Sequence, residues 1–304
     1  MGTRITSQIL VDAVLADISR AQRRLAETQS TLATGKRIKA PSDDPVGTAL
    51  ALGLRTAISS TEQFMVNVRD AYTFATESEA SLRVVIDSLH RARELTVSGA
   101  TGTLNQDQRD IVAQEINEVL ETVVDQANTQ SNNRYLFAGT RTRLVPFQTS
   151  LDPVSGEITA VSYVGNSERF SVQVSEGITV PVNEPGDEVF QDIQDTFQTL
   201  IDIRDDLRAG DTDSLSNVRL GELDNVLTQL LNGTALFGAK MNRLELVQQR
   251  LEEQLLSFQT QLTETEDADF VETVVSLEAQ QNAFEAALSA GARVIQPSLL
   301  DFIA

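Results

Sequence analysis

The stretch "ATGKRIKAPSDDPVGTA", residues 33–49, sets Gly35, Pro41, Pro45, a basic run and the adjacent Asp43 and Asp44 between two long runs of helical patterning. Upstream, Val11, Val14, Ile18, Ala21, Leu25, Thr28 and Leu32 follow a strict three–four alternation. That stripe is narrow, the seam of a coiled coil rather than the broader apolar face of a helix on a globular core. Gly35 stands where a helix C-terminus takes a left-handed residue, and Lys36 and Arg37 are placed to meet the last free carbonyls. Ala40 and Asp44 each precede a proline and are driven out of helical geometry. Asp44 then caps the next helix, and Pro45 takes its first position, where a missing N–H costs nothing. The stretch reads as a stop, a stiff extended link and a start. Gly35, Lys36, Arg37, Pro41, Ser42, Asp43, Asp44 and Pro45 form this inter-domain joint, with capping assigned to Asp44 and solubility to Asp43.

Beyond the joint the seam resumes through Leu54, Ile58, Thr61, Met65, Val68, Tyr72, Ala75, Glu79, Leu82, Ile86 and Leu89. Glu79 is the one charge in that row, and it either marks an opening to solvent or fixes the register. A looser stretch, "VSGATGTLNQDQR", precedes a third helix carrying Val112, Ile116, Val119, Val123 and Ala127. Residues 140–186 change texture to short Val, Ile, Tyr and Phe runs between Pro, Gly and Asn. There "EITAVSYVG" and "RFSVQVSEG" predict two strands of a meander. Helical patterning returns with Val189, Ile193, Phe197, Leu200 and Leu207, then with Leu223, Val226 and Leu230, and runs from Leu244 to Leu262. "TETEDAD" is a second joint. The last helix carries Phe270, Val274, Leu277, Gln281, Phe284, Leu288 and Ile295 at seam spacing.

The pattern is mirrored about the β-rich centre. It predicts a mainly α fold, an elongated rod of long antiparallel helices with a terminal N/C coiled coil and a small β-rich insertion. Residues 1–40 with 264–304 form the coiled-coil assembly domain, 41–139 with 187–263 a long-helix bundle, and 140–186 an outer β domain. The assembly seam comprises Val11, Val14, Ile18, Ala21, Leu25 and Leu32 on the first helix. On the last it comprises Phe270, Val274, Leu277, Phe284, Leu288 and Ile295.

Composition narrows the function. The chain has 304 residues, 44 acidic against 24 basic, and a formal net charge of -20. Such a surface repels phosphate, so the expected partners include no nucleic acid and no anionic membrane. No apolar run approaches the roughly 20 residues of a membrane-spanning helix, so no membrane insertion is expected. The N-terminal run is interrupted by Asp12 and Asp17 and does not read as a cleaved signal peptide. Residues 1–40 hold seven basic and three acidic side chains, while residues 264–304 hold one basic and eight acidic. The two ends either attract each other or are simply solvated faces.

Catalytic chemistry finds no foothold. There is no cysteine, and His90 is the only histidine, which leaves no transition-metal set. "TGK" lacks the other positions of a phosphate loop, with Ser30 and Arg37 where glycine and a hydroxyl residue belong. "DTDSLSN", residues 211–217, begins like a calcium loop but has Leu215 at a ligand position. The chain is read as a non-enzyme with no cofactor and no metal.

The joint in its context resembles the flagellin superfamily, whose N-terminal half carries a coiled-coil helix, a "(S/T)G-x-(R/K)-I" turn, an Asp-Asp pair and a long helix. Here these are "ATGKRI", "SDD" and residues 46–95. "RARELTVSGATGTLNQDQRDIVAQEINEVLETVVDQAN" is similar to a further region of that superfamily. Proline-flanked "PSDDP" and "NNRYLFAGTRTRLVPF", residues 132–147, resemble its hook–filament junction branch rather than the filament subunits. The C-terminal "DADFVETVVSLEAQQNAFEAALSAGARVIQPSLLDFI" fits both and lies closer to the junction branch. The resemblance covers the chain except the β insertion, and the apolar "LLDFIA" end is its one departure. It implies a structural adaptor outside the cell, at the hook–filament junction of the bacterial flagellum, exported without a cleaved signal by the flagellar type III apparatus. It also implies four partners: hook-associated protein 1, flagellin, other copies of the chain in a ring, and a flagellar export chaperone. The joint would then set the angle between an inner coiled coil and an outer bundle.

Overall fold

The computed structural model describes residues 7–295, and the side chains of residues 9–293. Its contacts divide the chain into two compact units, Met1–Ser59 with Leu255–Ala304, and Ser60–Gln254. The sequence suggested three. The difference arises because the strands do not stand apart: Phe147, Ile158, Val174, Val180 and Val182 are buried in one core with the long helices.

The first unit holds α1 (Ser7–Thr34), the joint and the start of α2 (Pro45–Ala100). It also holds the end of α7 (Leu220–Glu266) and α8 (Phe270–Ile295). No proline occurs between Pro45 and Pro146, which lets α2 run for 56 residues. Asp269 caps α8, its Oδ1 accepting from the Val271 and Glu272 amides at 2.8 and 3.1 Å.

In the second unit, α2 ends at Ala100 before Gly102, whose φ of 67° only glycine adopts freely. α3 (Gln106–Ala127) begins with a reciprocal capping box between Asn105 and Gln108. A tight hairpin follows, β1 (Gln130–Ser131) and β2 (Arg134–Tyr135), turned by Asn132 and Asn133 at positive φ. Next come β3 (Phe147–Leu151), β4 (Ile158–Tyr163), β5 (Ser171–Ser175) and β6 (Ile178–Pro181). Short α4 (Gly186–Phe190), α5 (Thr196–Ala209) and α6 (Thr212–Ser214) lead through a π-helical turn (Leu215–Arg219) into α7. Thr76 meets Met241 and Arg93 meets Asp224, so α2 and α7 run antiparallel.

The predicted meander is replaced by separate hairpins: β4 pairs with β3, and β5 with β6. The 164–170 link is no tight turn, because Asn166 is tied back to Thr140 and Ala138. Ile193, placed on a helix by its spacing, is instead exposed in the break between α4 and α5. Asp195 restarts the helix there by capping Phe197 and Gln198. Buried Gln229 of α7 accepts the Ile193 and Gln194 amides, so the broken backbone is not left unpaired.

Phe147 anchors the core, with Tyr163, Phe190 and Phe197 rings around it at centroid distances of 4.9–5.3 Å. Of the α2 row read from the sequence, Tyr72 alone is exposed, and Val68, Ala75, Leu82 and Leu89 are fully covered. Glu79 is buried and paired with Arg83 one turn on, so it is not an opening to solvent.

Candidate assembly site: the terminal helix pair and its joint

α1 and α8 pack antiparallel. A side chain added at Gly291 would come within 3.0 Å of both Val14 Cγ1 and Ile18 Cδ1, while at the other end Gly35 O accepts the Ala268 amide at 2.9 Å. On α1 the least exposed row is Val11, Val14, Ile18, Ala21, Leu25 and Leu32, with Ala21 buried and the others half-buried. On α8, Val274, Leu277 and Phe284 are half-buried. Phe270 and Leu288 are instead 68% and 44% exposed, and Ala287 and Gly291 take the inward positions. Close helix approach selects the small residues, whereas apolarity alone favours Leu288 over Ala287. The side chain of Ile295 lies outside the described residues.

The joint is built residue by residue. Gly35, at φ 69°, ends α1, its amide donating to Thr31 O at 2.8 Å. The chain then pairs with the end of α7 rather than closing on its own helix. Lys36 forms a bridge with Asp267, and the Arg37 and Ile38 amides both donate to Glu266 O, at 2.7 and 3.3 Å. The Arg37 guanidinium donates to Thr265 O at 2.8 Å, so it serves the last turn of α7, not of α1 as the sequence predicted. Asp43, assigned to solubility, has a structural part: its Oδ2 accepts the Lys39 and Ala40 amides at 3.0 and 2.8 Å and closes the turn that Pro41 enters. Pro41 and Ser42 sit exposed on that turn. Asp44 Oδ1 accepts the Gly47 amide at 2.9 Å, the cap expected, with Pro45 first in α2. Gly47 is required here, because a Cβ would lie 2.5 Å from Asp44 Oδ2 and from the buried Ile38.

Glu266 is the electrostatic centre. Its side chain is 6% exposed and takes Lys36 Nζ at 2.5 Å and Arg55 Nη2 at 2.6 Å. The Lys36 hydrogen bond, with Arg55 behind it, holds the carboxyl below the ordinary range against the opposing effect of burial. Asp43 is held low too, first by the Ala40 amide and then by that of Lys39. Glu266 and Arg55 escaped the sequence analysis, although the opposite charge of the two chain ends pointed towards such a contact. Neither residue breaks a pattern: Arg55 looks like any exposed helix arginine, and Glu266 like one more acid in "TETEDAD".

Among the described residues no group of three or more His, Asp or Glu side chains is gathered to hold a metal ion. No described helix is long and apolar enough to cross a membrane. The arrangement does mechanical work: it fixes two helix ends against each other.

Two family descriptions match this chain: the bacterial flagellin N-terminal helical region over residues 5–142, and the bacterial flagellin C-terminal helical region over residues 220–303. Flagellar hook-associated protein 3 of Escherichia coli (strain K12) is 26% identical over 315 residues, 94% of this chain and 95% of the relative. The structure of a putative flagellar hook-associated protein from Vibrio parahaemolyticus matches with a TM-score of 0.66 at 22% identity, over 74% of this chain and 100% of that one. The flagellar junction protein FlgL from Legionella pneumophila matches with a TM-score of 0.59 at 18% identity, over 71% and 99%. At these identities the two solved structures speak for a shared fold.

Proposed function

The chain belongs to the flagellin family, and from that premise we propose that it joins the flagellar hook, through hook-associated protein 1, to the flagellin filament. It is a structural protein of the bacterial flagellum. The observation that carries the finer reading is the near full-length match to a hook-associated protein 3. That match runs through residues 143–219, which neither terminal flagellin description covers. In this reading copies of the chain form a ring, the α1–α8 seam holds them in the assembly, and the joint sets the angle at which α2 leaves α1. Export without a cleaved signal, aided by a flagellar chaperone, belongs to the same reading.

Localisation tests it. Val154, at the tip of the β3–β4 turn, is 94% exposed and suits an inserted epitope tag. Labelled protein is expected as one short band per flagellum, at the hook–filament boundary. Label along the whole filament would replace the junction reading with that of a filament subunit.

The joint carries a prediction of its own. Pro41 and Pro45 fix two backbone angles, and glycine at both adds about 0.4–1 kcal/mol of chain freedom each. The double-glycine variant is expected to be exported and incorporated, but its filaments should shear off several-fold faster in viscous medium. Asp44→Ala weakens the cap by about 1 kcal/mol and removes a half-exposed ion pair with Arg37 at 3.5 Å, but it leaves both prolines in place and should give the milder defect. Wild-type filament retention in the double variant would remove the prolines from the angle-setting role.

A further inference from the structure

β3 is an edge strand with an open side, and the direction of its free hydrogen-bonding groups is fixed by two observations. The Val164 amide donates to Pro146 O at 2.8 Å, so position 146 faces β4. One residue on, Phe147 faces the other way: Asn128 of α3's C-cap accepts its amide at 3.0 Å and donates to its carbonyl at 2.9 Å. Asn128 therefore stands where a third strand would begin. By the alternation of an antiparallel ladder, the N–H and C=O of Thr149, paired in register with Val161, also point away from β4.

Those groups open into a groove of about 670 Å³ between β3 and α3. Its floor is apolar, with Val124, Phe147 and Ile158, and Leu151 on the inner face of β3 is left 58% exposed. Its helical wall carries the carboxylates of Glu121 and Asp125, and among the described residues no lysine or arginine lines it. Neither carboxylate is in an ion pair among the described residues; Glu121 accepts only a hydrogen bond from Asn117.

We propose that this groove binds an extended, lysine-bearing segment of a partner protein, which adds to β3 as a third strand. Backbone groups of the segment meet Thr149, its apolar side chains cover Leu151 and Val124, and its ammonium groups face Glu121 and Asp125. Strand addition draws affinity from the main chain and selectivity from alternate side chains. The charge pattern here selects a cationic strand, in a chain whose surface otherwise repels one another's copies.

The test uses the full-length protein and a fluorescein-labelled peptide of alternating lysine and valine, read by fluorescence polarisation at low salt. Saturable binding is expected, at least ten-fold tighter than for the same peptide with glutamate in place of lysine. Glu121→Gln with Asp125→Asn should weaken it at least ten-fold and flatten its salt dependence. Thr149→Pro removes an outward amide that β4 does not use, so the fold should persist by circular dichroism while binding is lost. A peptide N-methylated on alternate backbone amides serves as the measurement that leaves the protein unaltered, and it should not bind. Absence of saturable binding, or equal binding of the N-methylated or glutamate peptide, would overturn the proposal. So would self-association of the protein abolished by Thr149→Pro, which would give the edge to a second copy of the chain.

Discussion

Cells carrying Ile18→Asp as their sole copy of this protein are expected to export it and yet build no filament, releasing unpolymerised flagellin into the medium. Ile18 is half-buried and lies against Gly291, where no β-carbon keeps the helices apart. Aspartate there forfeits the burial of a large apolar side chain and puts a carboxylate into the α1–α8 contact beside Gly291. The cost is about 2–4 kcal/mol. A two-helix contact has little else to offset such a loss. Leu15→Asp is the companion variant: Leu15 is 49% exposed, so the change leaves the α1–α8 contact intact within one chain. Soft-agar motility and flagellin in the culture supernatant give the readout. Filaments of normal length with Ile18→Asp would remove this seam from assembly.

Lys36→Ala combined with Arg55→Ala is expected to open the joint at neutral pH. The change strips both cations from a carboxylate that is only 6% exposed. Breaking a buried pair from one side costs about 3–5 kcal/mol. Here both cations stand half in solvent, so the expected loss is about 2–3 kcal/mol. The Arg37 and Ile38 amides report on it, because both donate to Glu266 O. Their hydrogen exchange should accelerate by about 30- to 150-fold.

The same clamp has a pH signature. In the wild type the Glu266 carboxyl is held low by Lys36 and Arg55. Its contribution is therefore complete above the unfolded carboxylate range, about pH 4.3, and is lost as pH falls through the lower folded value. Protonated Glu266 no longer needs the cations. The difference between wild type and double variant should thus keep its full size from pH 7 down to about pH 4.3 and shrink as the pH falls further, through the lower folded value. A difference that stays constant through that further fall would mean the cations act through packing rather than charge.

Much of this was legible in the sequence, for definite physical reasons. Proline restricts its predecessor, an aspartate before Pro45 has few roles other than a cap, and Gly35 ends a helix; each rule is local and each held. Helix α3 was legible because Ile116, Val119, Val123 and Ala127 face one core along their whole length. What escaped depends on distance or close approach. Glu266 owes its place to Lys36, 230 residues away. Ala287 and Gly291 face α1 because they are small, a property that an apolar count discards. Two strands, β4 and β5, were found, yet their partners β3 and β6 were not, because Phe147–Leu151 carries one buried residue in five and gives little alternation to read.

The two breaks in the helical path, at residues 35–44 and 267–269, are pinned directly to each other by Lys36 and Asp267 and by Gly35 and Ala268. Such pinning makes them behave as one hereditary character. A residue inserted in α1 between Ile18 and Gly35 would rotate everything before it by about 100° relative to the pin, and only a matching insertion in α8 would restore the face it meets. Lineages of this protein are therefore expected to gain and lose length in the two terminal helices together, in paired steps, while the long stretch between the breaks drifts in length on its own.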